Sequence, residues 1–235
     1  MRYQFSAVTA LCLFLAPSLF AQSNMLTKKE EKDGWRLLFD GKSTKGWRNY
    51  NAKSIGDAWK VEDGALVLNP SGGKKGGDII TEGQYENYEL SLEWKIDSCG
   101  NSGIIYNVVE DKKFHSVWQT GPEMQVLDNT CHPDAKITKH RAGDLYDLIA
   151  CSQETVRPAG QWNVSRIIAK DGSYEFWLNG TQVVTFRMHI PEWDNLVRNS
   201  KFKDMPDFGK ATKGHIALQD HGDKVWFRNI KIKKL

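Results

Sequence analysis

The chain is expected to be all-β, a two-sheet sandwich, and three observations carry that expectation. From Trp35 onward, short runs rich in aromatic and β-branched residues alternate with Gly, Asn and Asp turns. The stretch Tyr88 to Ile96 alternates strictly: Tyr88, Leu90, Leu92, Trp94 and Ile96 point one way, and Glu89, Ser91, Glu93 and Lys95 the other. That is a strand with one dry face and one wet face. Two apolar runs are each folded back by a tight-turn pair, Asp63-Gly64 and Asn179-Gly180, whose residues suit a primed hairpin turn.

The N-terminus comes first. Arg2 precedes an apolar run from Phe5 to Phe20, about the length of a signal-peptide core, and Ala21 is the expected cleavage position. Cys12 follows Leu11 inside that run, where a lipidated cysteine would want a small neighbour, which argues against a lipoprotein. Residues 1–21 are therefore assigned as a signal peptide, residues 22–34 as a polar Lys/Glu-rich tether, and residues 35–235 as one domain. A periplasmic or secreted location follows, with no membrane span. The formal net charge of +3, from 32 basic and 29 acidic residues, is too balanced to suggest nucleic acid as a partner. Removing residues 1–21 leaves Cys99, Cys131 and Cys151, an odd number that permits one internal disulfide at most. Cys131 with Cys151 is the expected pair, because both flank one loop, and three reduced thiols are the alternative.

The strands follow in order. Trp59 to Leu68 forms the first hairpin, turning at Asp63-Gly64, and a Gly-rich loop over 70–77 follows. No helix begins after that loop, so it is not a phosphate cradle. After Tyr88–Ile96, the segment 101–107 is a turn entering a strand, with Asn101 at its mouth and Tyr106 further along. In Gly121 to Asp128, Glu123 and Gln125 share a face, while Asp128 is out of phase and joins them only at a bulge or strand end. Tyr174 to Phe186 is the second hairpin. Pro191 to Phe202 is the one helix candidate, a short insertion near 191–203 with Trp193, Leu196 and Val197 on its apolar side. In His215 to His221, Ile216 and Leu218 face inward and His215, Ala217, Gln219 and His221 outward. A groove on the outer polar face would gather Lys95, Glu123, Gln125, Gln219 and His221. Arg228, beside Trp226, reads either as a substrate contact or as half of a buried ion pair.

Chemistry concentrates in the long connection 129–147. His132 and His140 are its candidate bases, Arg141 its anion or carbonyl partner, and Tyr146 a sugar-stacking or proton-bearing group. His132, His140, Glu123 and Asp128 also make a candidate divalent-metal set, although no His-x-His or His-x-x-x-His pair specifies it.

Two resemblances organise these residues. Glu123-x-Gln125-x-x-Asp128 resembles the Glu-x-Asp-x-x-Glu strand of laminarinase-type retaining endoglycosidases, which implies a jelly roll. Here a neutral Gln replaces the central carboxylate, and Asp128 reaches one methylene less far than Glu, so two-carboxylate retaining hydrolysis is in doubt. Over the whole domain, Leu38 to Lys42 with Gly46-Trp47, Tyr88 to Ile96, Asn101 to Ile104, Glu123 to Asp128, Gly143 to Tyr146, Trp162-Asn163, Trp177 to Gly180, Gly214 to Gly222 and Phe227 to Ile230 occur in the order seen in the bacterial 3-keto-disaccharide hydrolase family. That resemblance covers residues 35–235 and implies a concanavalin A-like jelly roll acting on glycosides oxidised at the 3-hydroxyl.

The implied chemistry is elimination. A ketone at C3 acidifies the hydrogen on C2, a base removes it, and the enolate expels the C1 substituent, with or without later addition of water. Such a site needs one base near neutral pKa and a cation or donor at the enolate oxygen. On this resemblance His132 or His140 is the base, Arg141, Lys95 or a metal polarises the ketone, and Glu123 and Gln125 orient sugar or base. Asn101, Tyr106, Asp128, Tyr146, Gln219, His221 and Arg228 are the expected substrate contacts. The competing expectations are a noncatalytic carbohydrate-binding sandwich and an ordinary retaining glycosidase.

Overall fold

The structure is a computed structural model that describes residues 23–74 and 76–235. The expected signal peptide lies outside the described residues. Two antiparallel sheets carry thirteen strands: β1 (Trp35–Leu37), β2 (Trp47–Asn49), β3 (Trp59–Glu62), β4 (Ala65–Leu68), β5 (Ile79–Thr81), β6 (Tyr88–Ile96), β7 (Asn101–Val108), β8 (Glu123–Leu127), β9 (Asn163–Lys170), β10 (Ser173–Leu178), β11 (Thr181–Arg187), β12 (His215–Leu218) and β13 (Val225–Lys234). The larger sheet runs β11-β10-β9-β6-β13-β4-β3 with β1 also on β13; the smaller runs β2-β5-β12-β7-β8.

Both expected hairpins form. Asp63 and Gly64 have φ of 50° and 73°, and Asn179 and Gly180 of 51° and 84°, the two consecutive positive values that a primed turn demands. The alternation of β6 also holds, with Tyr88, Leu90, Leu92, Trp94 and Ile96 all buried. They meet Ile104, Tyr106, Met124, Val126, Ile216 and Leu218 of the smaller sheet in one core. Each large apolar side chain removed from water there contributes about 1.5–3 kcal/mol before entropy is counted.

Several expectations are corrected. Residues 22–34 are not simply a tether: Lys28–Lys32 forms a short helix, α1, with a Thr27/Glu30 capping box, and Asn24 donates to the Gly64 carbonyl. The disulfide joins Cys99 to Cys131, and Cys151 is free. Proximity in sequence misled because the turn after β8 bends residue 131 back over the turn preceding β7, where Asp128 holds the Cys99 amide. Ala217 and His215 do not face water. Ala217 joins Ile80, Ile105, Val108 and Val117 in a second apolar cluster on the outer face of the smaller sheet. His215 is buried, its Nδ1 2.7 Å from the Thr81 carbonyl, to which it donates.

The predicted helix exists but is shorter. It spans Pro191–Arg198 (α2), and Trp193, its buried residue, stacks between Phe186 and Phe208. The chain continues through Phe202 in turns, not helix. None of the described helices is long and apolar enough to cross a membrane.

Candidate active site

The second apolar cluster covers one part of the smaller sheet's outer face. Another part forms the floor of a cleft of about 450 Å³ lined by Asn101, Trp118, Glu123, Gln125, Tyr146, Lys201, Phe202, Met205, Gln219 and His221. Four of the sheet-borne residues follow from pairing. Glu123 stands opposite Ile105, and Gln125 opposite Gly103, on adjacent antiparallel strands. The Gln219 amide donates to the Gly103 carbonyl, which sets Gln219 beside them, and Asn101 begins β7.

The connection 129–147 returns along the free edge of β8. The Gly143 amide donates to the Gln125 carbonyl, Gln125 to the Asp144 carbonyl, and Tyr146 to the Glu123 carbonyl. That pairing satisfies an otherwise open edge and brings Tyr146 next to Glu123. Lys201 comes from the segment after α2. Its amide donates to Asp147 Oδ2 at 2.7 Å, and its ammonium stands 3.9 Å from the centre of the Tyr146 ring.

Glu123 is 6 % exposed, and among the described residues no cation reaches it within salt-bridge distance. Burial therefore pushes its carboxyl up to about 8; the Lys201 charge opposes that rise, and Asp78 and Asp134 add to it. Lys201 as a residue stays open to solvent, but its ammonium is desolvated enough to hold its pKa below the ordinary value, against the pull of Glu123 and Asp147. Burial also raises the Tyr146 phenol. Two more cleft residues carry unused capacity: Asn101 Oδ1 and Gln219 Oε1 are buried acceptors with no partner among the described residues. An orphaned buried acceptor costs roughly 1–3 kcal/mol, so two of them in one cleft call for hydroxyl or amide donors from a ligand.

Of the residues singled out from sequence, Glu123, Gln125, Asn101, Tyr146, Gln219 and His221 meet in the cleft. The others do not line it. His140 lies behind Tyr146, its ring centre 4.4 Å away, and its Nε2 donates to Asp147 Oδ1 at 3.0 Å. It therefore braces Tyr146 and, through Asp147, the backbone of Lys201. His132 caps a short 3-10 turn, its Nδ1 accepting the Asp134 amide, and its ring stands edge-on to that of His221, centres 6.4 Å apart. Arg141 pairs with Glu154 at 2.5 Å near the protein surface.

Asp128 also turns away. It follows the end of β8, but its carboxylate accepts from Thr130 and from the Cys99 amide, so it closes a turn. Burial pushes that carboxyl up, yet the hydrogen bonds together take it below its ordinary value. Tyr106 is in phase with Ile104 and packs in the core against Tyr174, ring centres 5.2 Å apart. Lys95 and Arg228 belong to the other sheet. Lys95 lies over Trp226 and Trp162 at 4.4 and 5.1 Å, and Arg228 pairs with Glu93 at 2.7 Å. The wet faces of the two sheets point in opposite directions, so strand alternation alone could not tell which polar residues converge.

The candidate metal set of His132, His140, Glu123 and Asp128 is likewise not assembled. Among the described residues, the group of three donor side chains with ligand atoms within 4.8 Å is Cys99, Asp128 and Cys131. Its two sulfurs are joined to each other.

Four cleft residues, Trp118, Lys201, Phe202 and Met205, were not found from sequence. Lys201 had a weak signal, its position at the end of the one helical insertion. Trp118 had none, since it sits in a 3-10 turn, Val117–Gln119, inside an irregular connection.

Comparison with known proteins places the chain in a family. Residues 34–233 match the 3-keto-alpha-glucoside-1,2-lyase-like domain. A 3-keto-disaccharide hydrolase of Bacteroides thetaiotaomicron is 36% identical over 92% of this chain and 83% of its own length. The crystal structure of a candidate glycosyl hydrolase from Parabacteroides distasonis superposes with a TM-score of 0.85 at 35% identity, covering 91% of this chain and 100% of that one. A Bacillus subtilis protein with a galectin-like fold, 12% identical with a TM-score of 0.51, covers 91% of this chain and 95% of that one, a likeness of fold alone.

Proposed function

We propose, from the premise that the chain belongs to the 3-keto-alpha-glucoside-1,2-lyase-like family, that it cleaves 3-keto-glycosides, 3-keto-disaccharides among them, by elimination at its cleft. The observation that carries this reading is the buried Glu123 carboxyl, with a pKa of about 8, on the floor of a cleft that also holds Lys201. A base of that pKa is matched to removing a carbon acid's proton near neutrality.

In this reading the Glu123 carboxylate takes the proton from C2 of the sugar. The electron pair enters the C2–C3 bond, and the ketone oxygen becomes an enolate held by the Lys201 ammonium and the Tyr146 hydroxyl. Collapse of the enolate restores the ketone, forms the C1–C2 double bond and breaks the bond from C1 to the leaving oxygen, which picks up a proton. Addition of water across that double bond completes a hydrolysis. Asn101 and Gln219 accept hydrogen bonds from sugar hydroxyls, and Gln125, whose Nε2 donates to the His140 carbonyl, keeps the loop against the floor. The base is thus assigned to Glu123 and not to either loop histidine. Direct displacement by two carboxylates is disfavoured because Asp128 is spent on its turn.

Export of the mature chain is part of the proposal. It is supported by the apolar run after Arg2 and by the Cys99–Cys131 disulfide, which suits an oxidising compartment.

The test is to incubate the purified protein in heavy water with a 3-keto-glucoside and with its unoxidised parent. Aglycone release from the ketone alone, with deuterium entering C2 and both signals lost in Glu123→Gln, is the expected result. Equal cleavage of the unoxidised glycoside without exchange would replace elimination by ordinary glycoside hydrolysis. Tight binding without turnover would leave a carbohydrate-binding sandwich.

A further inference from the structure

The cleft has two chemical faces. Its floor is polar and belongs to the sheet and the loop beside it: Glu123, Gln125, Asn101, Gln219 and Tyr146. Its other side comes from two connections, Trp118 from one and Lys201, Phe202 and Met205 from the other, and is apolar apart from the Lys201 ammonium. These connections are fastened together, because the Gly209 amide donates to the Thr120 carbonyl at 2.8 Å.

Trp118 is the unusual member. It is 37 % exposed, the one aromatic among the exposed large hydrophobic residues of the described chain. Its backbone is nevertheless held firmly. Val117 is fully buried in the second apolar cluster, Ser116 and Gln119 cap each other's turn, and Thr120 is buried with its hydroxyl accepting the Val109 amide. A large flat side chain left open on a rigid turn, at the lip of a cavity with a polar floor, leaves apolar area in water that a ligand would cover.

We infer that Trp118 is the platform on which the leaving group stacks, so that the cleft selects 3-keto-glycosides whose C1 substituent presents a flat apolar face. This deepens the proposed function and rests on it. The oxidised sugar occupies the floor, where the orphaned acceptors Asn101 and Gln219 await its hydroxyls, and the substituent beyond C1 lies against Trp118, with Phe202 and Met205 lining the same cleft. Two leaving groups share the required chemistry, an aromatic ring and the carbon-rich face of a second sugar.

The experiment separates platform from chemistry by measuring binding where turnover is blocked. Calorimetry on Glu123→Gln, with and without Trp118→Ala, would compare methyl 3-keto-glucoside, phenyl 3-keto-glucoside and a 3-keto-disaccharide. The expected result is a loss of about tenfold in affinity for the phenyl compound, the disaccharide or both on removing Trp118, with the methyl compound unchanged and Trp118→Phe restoring most of the loss. Loss confined to the phenyl compound assigns an aromatic leaving group, and loss confined to the disaccharide assigns a sugar. An equal loss for all three, no loss for any, or no binding of any overturns the platform. Turnover by the unsubstituted protein is read separately: if it cleaves no 3-keto-glycoside, the proposed function fails while the binding comparison still judges Trp118.

Discussion

The carboxylate of Glu123 lies over Gly103, so close that a Cβ on Gly103 would stand 2.1 Å from Glu123 Oε1. The neighbouring strand thus provides the empty space in which the buried carboxylate rests. Gly103→Ala would push the carboxylate aside, and because that group ends a flexible side chain the fold should absorb the change. The expected outcome is a fall in kcat/KM on the order of 10²-fold, as for a misplaced reacting group, with a melting temperature close to that of the parent. Activity and thermal melts on the same preparation check it.

The titration of Glu123 should appear in both activity and stability. As a base it must be ionised, so kcat/KM should rise with pH with an apparent pKa of about 8. Stability should move oppositely. The folded pKa is raised above the unfolded value, so the native state holds its proton longer, and stability present at acid pH is lost as pH rises from the ordinary carboxyl range through about 8. Glu123→Gln should abolish turnover and flatten that part of the stability profile. Denaturant melts between pH 4 and 9, roughly spanning the two pKa values, provide the comparison.

Lys201→Met should shift the activity profile to higher pH. The Lys201 charge opposes the burial that raises Glu123, so its removal leaves the base harder to ionise. Turnover at the alkaline plateau should also drop, about 10²-fold or more, if the ammonium stabilises the enolate. An unmoved limb in the pH profile would separate Lys201 from Glu123.

The disulfide between Cys99 and Cys131 closes a sequence separation of 32 residues. By loop-closure entropy, Cys99→Ser with Cys131→Ser should cost about 3–4 kcal/mol of stability. Urea denaturation of the double variant measures it, and thiol reductant should destabilise the parent by a similar amount.

Lys95→Ala should leave turnover unchanged. Its ammonium lies over Trp162 and Trp226 on the outer face of the larger sheet, where such contacts are worth about 0.5–1 kcal/mol. A melting shift of that size with intact kinetics is the expected result.

Much of the scaffold is legible along the chain because its causes are local. The period-two alternation of Tyr88 to Ile96 and the positive-φ pairs at Asp63-Gly64 and Asn179-Gly180 are set by neighbouring residues, so they read directly as strand and turns. Glu123 and Gln125 read equally well as partners on one face. The proposed base did not. A histidine is the ordinary neutral-pH base by its intrinsic pKa, but His140 is engaged by Asp147, while Glu123 acquires its pKa from burial in a cleft whose lining comes from distant stretches of chain.

The amino-acid order by itself determined the all-β class, the hairpin positions, the strand presenting Glu123 and Gln125, and the resemblance to the family that residues 34–233 match. Only the folded arrangement decided that Lys95 and Arg228 lie on the wrong sheet, that Cys131 meets Cys99, and that Lys201 and Trp118 complete the cleft. The reason is physical: backbone preference acts over a few residues, whereas desolvation, charge coupling and the closure of a cavity depend on which distant segments pack together.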